Sequence, residues 1–466
     1  MLFNSFEFLY FFIVVTALYF FLPHKIRWIL LLAASCFFYM FFKPEYILIL
    51  AFTIVIDYYA GIFIEQQTEK RKKKKYLIMS LIANIGVLAV FKYYNFINGN
   101  ITGLCNLLGF QNTIPYLHIV LPIGLSFHTF QAMSYTIEVY RGKQKAEKHF
   151  GIYSLYVMFY PQLVAGPIER PQNILPQLHK ENKFSFDNAL LGSNLIIIGL
   201  LKKMVVADRL AVYVNQVYHN LDTSTTLSAW MAAIFFSLQI YCDFSGYSDI
   251  ARGTAKFMGY DLMLNFDRPY LSKSVTEFWT RWHISLSSWF KDYLYISLGG
   301  NRVSKLKWCR NILIVFLISG LWHGANVTFI IWGALHGVYV LMESVLPKIT
   351  GQSPIIKLFG QLKVFFLVTV AWVFFRAANI DEALHMIRLM FSADFSLNLT
   401  QLAAGKGPFN LALTFLVIGF LMLAYFLPRD MQFKNIKTNI TFLTATLFLL
   451  FILSKDAQGE FIYFQF

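Results

Sequence analysis

Three histidines and one polar stripe hold the side chains best suited to chemistry in this 466-residue sequence. His323 stands in Leu321-Trp322-His323-Gly324, where one apolar run ends and the next begins. An imidazole changes charge with small environmental shifts near neutral pH, so it can take a proton from a hydroxyl there. It can equally bond a carbonyl freed where a helix breaks. His336, in Ala334-Leu335-His336-Gly337, lies 13 residues further on, about 20 Å along a straight helix. The two share a site only if the Gly324 to Asn326 break folds the chain back. Between Gly333 and Gly337, His336 reads as a close-packing residue. His283, flanked by Arg281 and Trp282, can meet an anionic or thioester ligand, or be a plain interfacial histidine. Gln239, Asp243 and Tyr247 recur at i, i+4 and i+8, a polar stripe on an apolar helix, and Asp249 can meet Arg252 one turn on. In an apolar medium such a stripe marks a pathway or site. The alternative is a hydrogen-bonded knot between helices.

Other chemistries lack their residues. There is no Gly-rich phosphate loop, GxSxG elbow or HExxH, so nucleotide hydrolysis, a serine-hydrolase mechanism and a zincin are unsupported. Cys36, Cys105, Cys242 and Cys309 stand far apart without CxxC or His ligand spacing. They read as free thiols, with neither a disulfide framework nor a metal site.

The elements that must position these residues follow from composition. Hydrophobic residues make up 57% and charged residues 14%, far more apolar than an ordinary soluble protein. Apolar runs near the roughly 20 residues of a membrane crossing occur about a dozen times, which specifies a polytopic helical membrane protein. Its net charge of +15 sits between those runs, as cytoplasmic loops facing anionic lipid do, so nucleic acid is not the partner. The first runs cover about Phe6 to Leu22, Trp28 to Phe42, Tyr46 to Ile64 and Tyr76 to Phe96. Lys70 to Lys75 are six consecutive cations, assigned to the cytoplasm by the positive-inside rule. Counting from them puts the N-terminus outside, Lys25 and Arg27 inside, the charge-poor Asn98 to Pro115 outside, and Arg141 to Lys148 inside after a span from about His118 to Val139. No cleavage site follows the first run, which reads as a retained helix.

Further on, Gly151 to Ile168, with Pro161, Gly166 and Pro167, suits a re-entrant or broken helix. Spans are expected over Asn188 to Val206 and Leu227 to Ile250. Val275 to Tyr293 has helical apolar spacing with three tryptophans, Ser274 and Glu277 as a capping box, and Gly299-Gly300 as its end. It reads as one amphipathic helix at an interface or dipping into the protein, on the cytoplasmic side because Arg302, Lys305, Lys307 and Arg310 follow. Ile312 to Trp322 and Thr328 to Met342 flank the His323-Gly324-Ala325-Asn326 break, and Leu358 to Phe375, Leu411 to Leu427 and Ile440 to Leu453 follow. Asp381 to Phe391 is too short to cross. No internal repeat relates the halves, which counts against a transporter built from inverted repeats.

Several blocks resemble the membrane-bound O-acyltransferase family. They are Leu121-Pro-Ile-Gly-Leu-Ser-Phe to Val139-Tyr-Arg-Gly, Tyr160-Pro-Gln-Leu-Val-Ala-Gly-Pro-Ile, Tyr241-Cys-Asp-Phe-Ser-Gly-Tyr-Ser-Asp-Ile-Ala, Phe278-Trp-Thr-Arg-Trp-His-Ile-Ser-Leu-Ser with Asp292-Tyr-Leu-Tyr-Ile-Ser-Leu-Gly-Gly-Asn, and Gly320-Leu-Trp-His-Gly-Ala-Asn. They run in order from about Leu121 to His336, and Trp372-Val-Phe-Phe-Arg-Ala also fits. Within that family they look most like the bacterial alginate, cellulose and peptidoglycan O-acetylation membrane proteins. His128 departs from that pattern, since relatives often carry an aromatic residue there.

The resemblance implies an all-α polytopic membrane protein, a ring of about 11–12 transmembrane helices plus re-entrant and interfacial helices around a central tunnel. It implies one domain over 1–466, with N-terminal helices at 1–115, core motifs at 116–345 and C-terminal helices at 346–466. The implied catalytic residues are His323 and His283, with Asp243, Tyr247, Arg281, Trp282, Trp322 and Asn326 along the tunnel and no metal. His323 acts as general base on a hydroxyl or holds the acyl group as a nucleophile. The implied function moves an acetyl group from cytoplasmic acetyl-CoA, a donor substrate and not a bound cofactor, across the bacterial inner membrane. The recipient is a periplasmic or extracellular acetyltransferase partner that acylates a cell-envelope polysaccharide. Short outward connections, with no polymer-binding domain, require such a partner. The alternatives are D-alanyl transfer to teichoic acid from a carrier protein and, in another class, a polysaccharide or lipid transporter.

Overall fold

The apolar runs fold as helices, and no strand occurs among the described residues. The structure is a computed structural model and describes residues 1–118, 121–164, 166–346, 353–396, 407–426, 436–453 and 461–462. Among them six helices are long and apolar enough to cross a membrane: Pro44–Gln66, Lys70–Leu107, Phe186–His219, Thr226–Phe257, Val327–Val345 and Pro354–Arg376. Phe6–Phe21, Phe409–Gly419 and Leu443–Leu453 are apolar but shorter. The chain divides into two compact units, Met1–Ser193 with Ala251–Met263, and Asn194–Ile250 with Leu264–Phe466.

The first unit holds α1 (Phe6–Phe21), α2 (His24–Met40), α3 (Ile47–Gln66), α4 (Lys70–Leu88), α5 (Tyr94–Leu107), α6 (Leu125–Tyr140), α7 (Phe150–Met158), α8 (Tyr160–Leu163) and α9 (Pro171–His179). The six cations are not a loop. They form the exposed opening turns of α4, which runs on through a π-helical turn at Ala89–Tyr93 into α5. Helix therefore extends to Leu107, into the stretch expected as an outer connection. Among the described residues of the His118 to Val139 run the helix is the 16-residue α6, which the chain enters through Gly124 in the left-handed region at φ 75°. That helix is buried along nearly its whole length, so it serves the interior of its unit. Gly151 to Ile168 is broken, as its prolines require: α7 ends at Met158, and Pro161, which has no N–H to donate, lies in the first turn of α8. Asp57 of α3 is fully buried. It accepts from Ser80 Oγ at 2.6 Å and Asn84 Nδ2 at 2.9 Å, and Ser80 Oγ also meets Thr136 Oγ1 at 3.1 Å. This knot joins α3, α4 and α6.

The second unit takes α10 (Phe186–Leu200) from Asn194 on, which passes through a π-helical turn at Leu201–Ala207 into α11 (Asp208–His219), and α12 (Thr226–Phe257) as far as Ile250. Gly199 and Gly246 sit where α10 and α12 cross: a methyl on Gly246 would lie 2.7 Å from the Gly199 carbonyl oxygen. Only small residues allow backbones this close. Then follow α13 (Val275–Arg281), α14 (Ile284–Trp289), α15 (Lys305–His323), α16 (Val327–Val345), α17 (Pro354–Arg376), α18 (Ile380–Met390), α19 (Pro408–Phe426) and α20 (Ile436–Leu453).

The expectation of one amphipathic helix over Val275 to Tyr293 is corrected. The spacing is helical, but the chain breaks at Trp282 and His283 and then continues through α14 into a π-helical turn at Phe290–Tyr295. His283 lies in the left-handed region, φ 44° and ψ 55°. Its cap is also a variant of the expected box: Ser274 Oγ accepts from Glu277 N at 3.0 Å, while the Glu277 carboxylate accepts from Lys273 N at 2.8 Å, one residue before the cap.

The break after His323 appears where the glycine and asparagine signals put it. Asn326 caps α16 by accepting from Thr328 N at 3.1 Å, and its Nδ2 donates to Ala378 O at 2.7 Å. The chain folds back into an antiparallel pair, with Gly320 against Phe329, Phe316 against Gly333 and Leu313 against Gly337. A methyl on Gly320 would overlap the Phe329 carbonyl, and one on Gly324 the Phe329 ring. Glycine is demanded here by close approach, not by backbone angle, since Gly324 is extended.

Candidate active site

α15 carries His323 to its last turn, where the helix ends and the imidazole is buried between rings. Trp322 lies 4.9 Å away, Trp332 of α16 5.0 Å and Phe375 of α17 5.3 Å, all edge-on. Trp332 stacks on Trp372 at 5.7 Å, and Trp372 meets Trp282 at 5.0 Å. Such a wall excludes water around an imidazole and strengthens every polar interaction inside it.

His283 reaches the same neighbourhood from the α13–α14 break. Its ring is 6.2 Å from Trp322, 4.6 Å from Phe244 and 6.4 Å from Phe266, and its Nδ1 meets Ser285 Oγ at 3.5 Å. Trp322 therefore contacts both histidines. Burial pushes the His283 pKa down to about 3, which leaves the ring neutral, with one nitrogen donating and the other accepting. Asn265 holds the break: its carbonyl accepts from Ile284 N at 2.9 Å, and its Oδ1 from Ser285 N and Oγ at 3.3 and 2.9 Å. Backbone donors released by the break are thereby satisfied. Trp282 is buried against Phe266 and Phe278, whereas Arg281 is half-buried and pairs with Glu277 at 2.8 Å.

Asp243 and Tyr247 share the buried face of α12 with Gln239, and the carboxylate belongs to an ion-paired knot. Lys203 Nζ lies 2.8 Å from Asp243 Oδ1 and 2.7 Å from Asp208 Oδ1. Lys203 stands in the π-helical turn, which brings a residue five positions on, Asp208, to the same side. The other Asp243 oxygen accepts from Ile462 N at 2.6 Å, and Phe461 packs on Tyr247 at 4.2 Å and on Phe244 at 5.8 Å. Asp249 takes Lys202 at 2.5 Å. Among the described residues no group of three His, Cys, Asp or Glu could hold a metal ion.

Sequence reasoning missed Lys203 and Asp208, the Asn265 anchor, the Trp332–Trp372–Phe375 wall, and the Phe461–Ile462 segment. A lysine inside an apolar run, with aspartates at Asp208 and Asp243, was the available signal for the ion-paired knot.

The family model of the membrane-bound O-acyltransferases matches residues 16–380, a range that holds His283, His323, Asp243 and the other site residues expected from the sequence. The chain belongs to the membrane-bound O-acyltransferase family. It is thus an O-acyltransferase and a multi-pass membrane protein. The probable alginate O-acetylase AlgI of Pseudomonas aeruginosa is 39% identical over 448 residues, 93% of this chain and 84% of that protein. The peptidoglycan O-acetyltransferase of Helicobacter pylori is 33% identical over 462 residues, 89% of this chain and 86% of that protein. The teichoic acid D-alanyltransferase of Bacillus subtilis is 28% identical over 234 residues, 48% of this chain and 59% of that protein. In this O-acyltransferase family member, the two histidines and their aromatic walls are the candidate acyl-transfer site.

Proposed function

We propose that this protein moves an acetyl group from acetyl-CoA on the cytoplasmic side of a bacterial inner membrane to an exported acetyltransferase partner that acetylates a cell-envelope polysaccharide. The observation that carries the reading is the pair of buried imidazoles against Trp322, with His323 at a helix end inside an aromatic wall. In this reading His323 accepts the proton of an incoming hydroxyl while that oxygen attacks the thioester carbonyl. The C–O bond forms, the C–S bond breaks, and the proton passes to the departing thiolate. His283 orients the donor from the cytoplasmic side. Acetyl is favoured over D-alanyl because the named O-acetylases match about nine-tenths of the chain, and the D-alanyltransferase about half.

The test uses purified full chain in detergent with radiolabelled acetyl-CoA. Alone, it is expected to give slow hydrolysis or self-labelling, and polymer acetylation only once a periplasmic acetyltransferase is added. Efficient polymer acetylation by the single chain would show the relay to be wrong. A D-alanyl-charged carrier protein accepted in place of acetyl-CoA would overturn the donor.

His283→Asn separates backbone from imidazole, because asparagine tolerates the left-handed conformation better than alanine. Its acyl transfer is expected to fall about tenfold to a hundredfold, in the range of a lost positioning contact, with KM for the donor raised. Normal donor affinity and normal rate would make His283 structural.

The proposed orientation has the N-terminus outside and Lys70 to Lys75 inside. Single cysteines at Lys72 and at the exposed Asn106, in a background lacking the four native cysteines, are expected to label from opposite sides. Same-side labelling overturns it.

A further inference from the structure

His336 has no part in the transfer chemistry described above, yet it is fully buried in unusual company. Trp279 Nε1 donates to His336 Nδ1 at 3.3 Å. An indole N–H can only donate, so Nδ1 is the unprotonated nitrogen. Around the imidazole stand Trp279 at 4.9 Å, Trp332 at 5.0 Å, Tyr339 at 5.9 Å, Phe278 and Phe316 at 6.3 Å, and Trp372 at 6.4 Å. Trp332, one turn before it on α16, lies 5.0 Å from both His336 and His323, its ring steeply inclined to each. The 20 Å of helix that separates residues 13 apart is abolished by the turn at Gly324 to Asn326. Glycine contacts hold α15 and α16 close together on either side of Trp332, at Gly320 against Phe329 and Gly333 against Phe316. A phenylalanine at 336 would fill similar space, but it would remove the acceptor of the part-buried Trp279 N–H.

We infer that His336 is a positioning residue for His323, acting through Trp332: its Nδ1 anchors Trp279, and the anchored pair fixes the orientation of Trp332, against which the His323 ring packs at right angles. The inference rests on the reading that His323 carries the transfer. His336 itself touches neither donor nor acceptor.

The experiment measures kcat, donor KM and thermal midpoint for His336→Phe, Trp279→Phe, the double variant and His323→Ala, in the full chain with acetyl-CoA and an acetyltransferase partner. The positioning role predicts that each single change lowers kcat about tenfold to a hundredfold, as expected when a reacting group moves by up to about 1 Å. KM stays unchanged, and the double variant is no worse than either single one, since both remove the same hydrogen bond. His336→Gln, which restores an acceptor oxygen, is expected to recover part of the loss. Wild-type kcat in both single variants overturns the inference, as does a loss that is fully additive in the double variant. If His336→Phe does not accumulate, Trp279→Phe decides, because Trp279 is only half-buried. The underlying reading fails separately: activity retained in His323→Ala removes it, whereas an inactive His323→Ala beside normal His336 and Trp279 variants removes only the positioning role.

Discussion

His323→Ala is expected to abolish acyl transfer, a fall of at least about 10²- to 10⁴-fold, the contribution of a positioned general base. The substitution removes the imidazole from a pocket walled by Trp322, Trp332 and Phe375 without adding charge or bulk. α15 ends at this residue, and its backbone is already helical there, so alanine suits the local conformation and the helix is retained. The measurement is label transferred from acetyl-CoA to the partner or polymer, normalised to folded protein by size-exclusion profile and thermal midpoint. Acetylation at the wild-type rate in a correctly folded variant would sink the assignment of His323.

The largest expected effect on stability comes from Lys203→Met. Lys203 lies between Asp208 and Asp243 at 2.7 and 2.8 Å, and all three side chains are nearly excluded from solvent. Removing the cation leaves two carboxylates buried and uncompensated, a change that costs about 3–5 kcal/mol when a buried pair loses one partner. Asp243 also receives the Ile462 N–H, so repulsion between the carboxylates should loosen Phe461 from Tyr247 and Phe244. The expected result is failure to accumulate, or a sharply lowered thermal midpoint in detergent. Partial recovery is expected in Lys203→Met/Asp208→Asn/Asp243→Asn, where no charge is left unpaired. A single variant as stable as the parent would mean that Lys203 contributes nothing net.

Membrane class, helical architecture and the position of the break at Gly324 to Asn326 were legible because each depends on residues close in the chain. A run of about 20 apolar residues suffices for a crossing, glycine and asparagine stop and restart helices locally, and His323 stands beside that break in a recognisable Trp-His-Gly block. His283 was equally visible as a candidate, but its left-handed backbone was not: apolar spacing from Val275 to Tyr293 is helical throughout, and only Asn265, far back in the chain, accepts the donors released by the break. The pairing of Asp243 with Lys203 instead of a neighbour on its own helix was likewise beyond local reading, as was the closing of the distance between His336 and His323. By itself the sequence determined which segments are helical and which faces are costly to expose, since both follow from a short period. Only the tertiary structure decided which side chains meet, because a helix's rotation about its axis is set by what packs against it, and that rotation turns Asp243 toward Lys203 and both His323 and His336 toward Trp332.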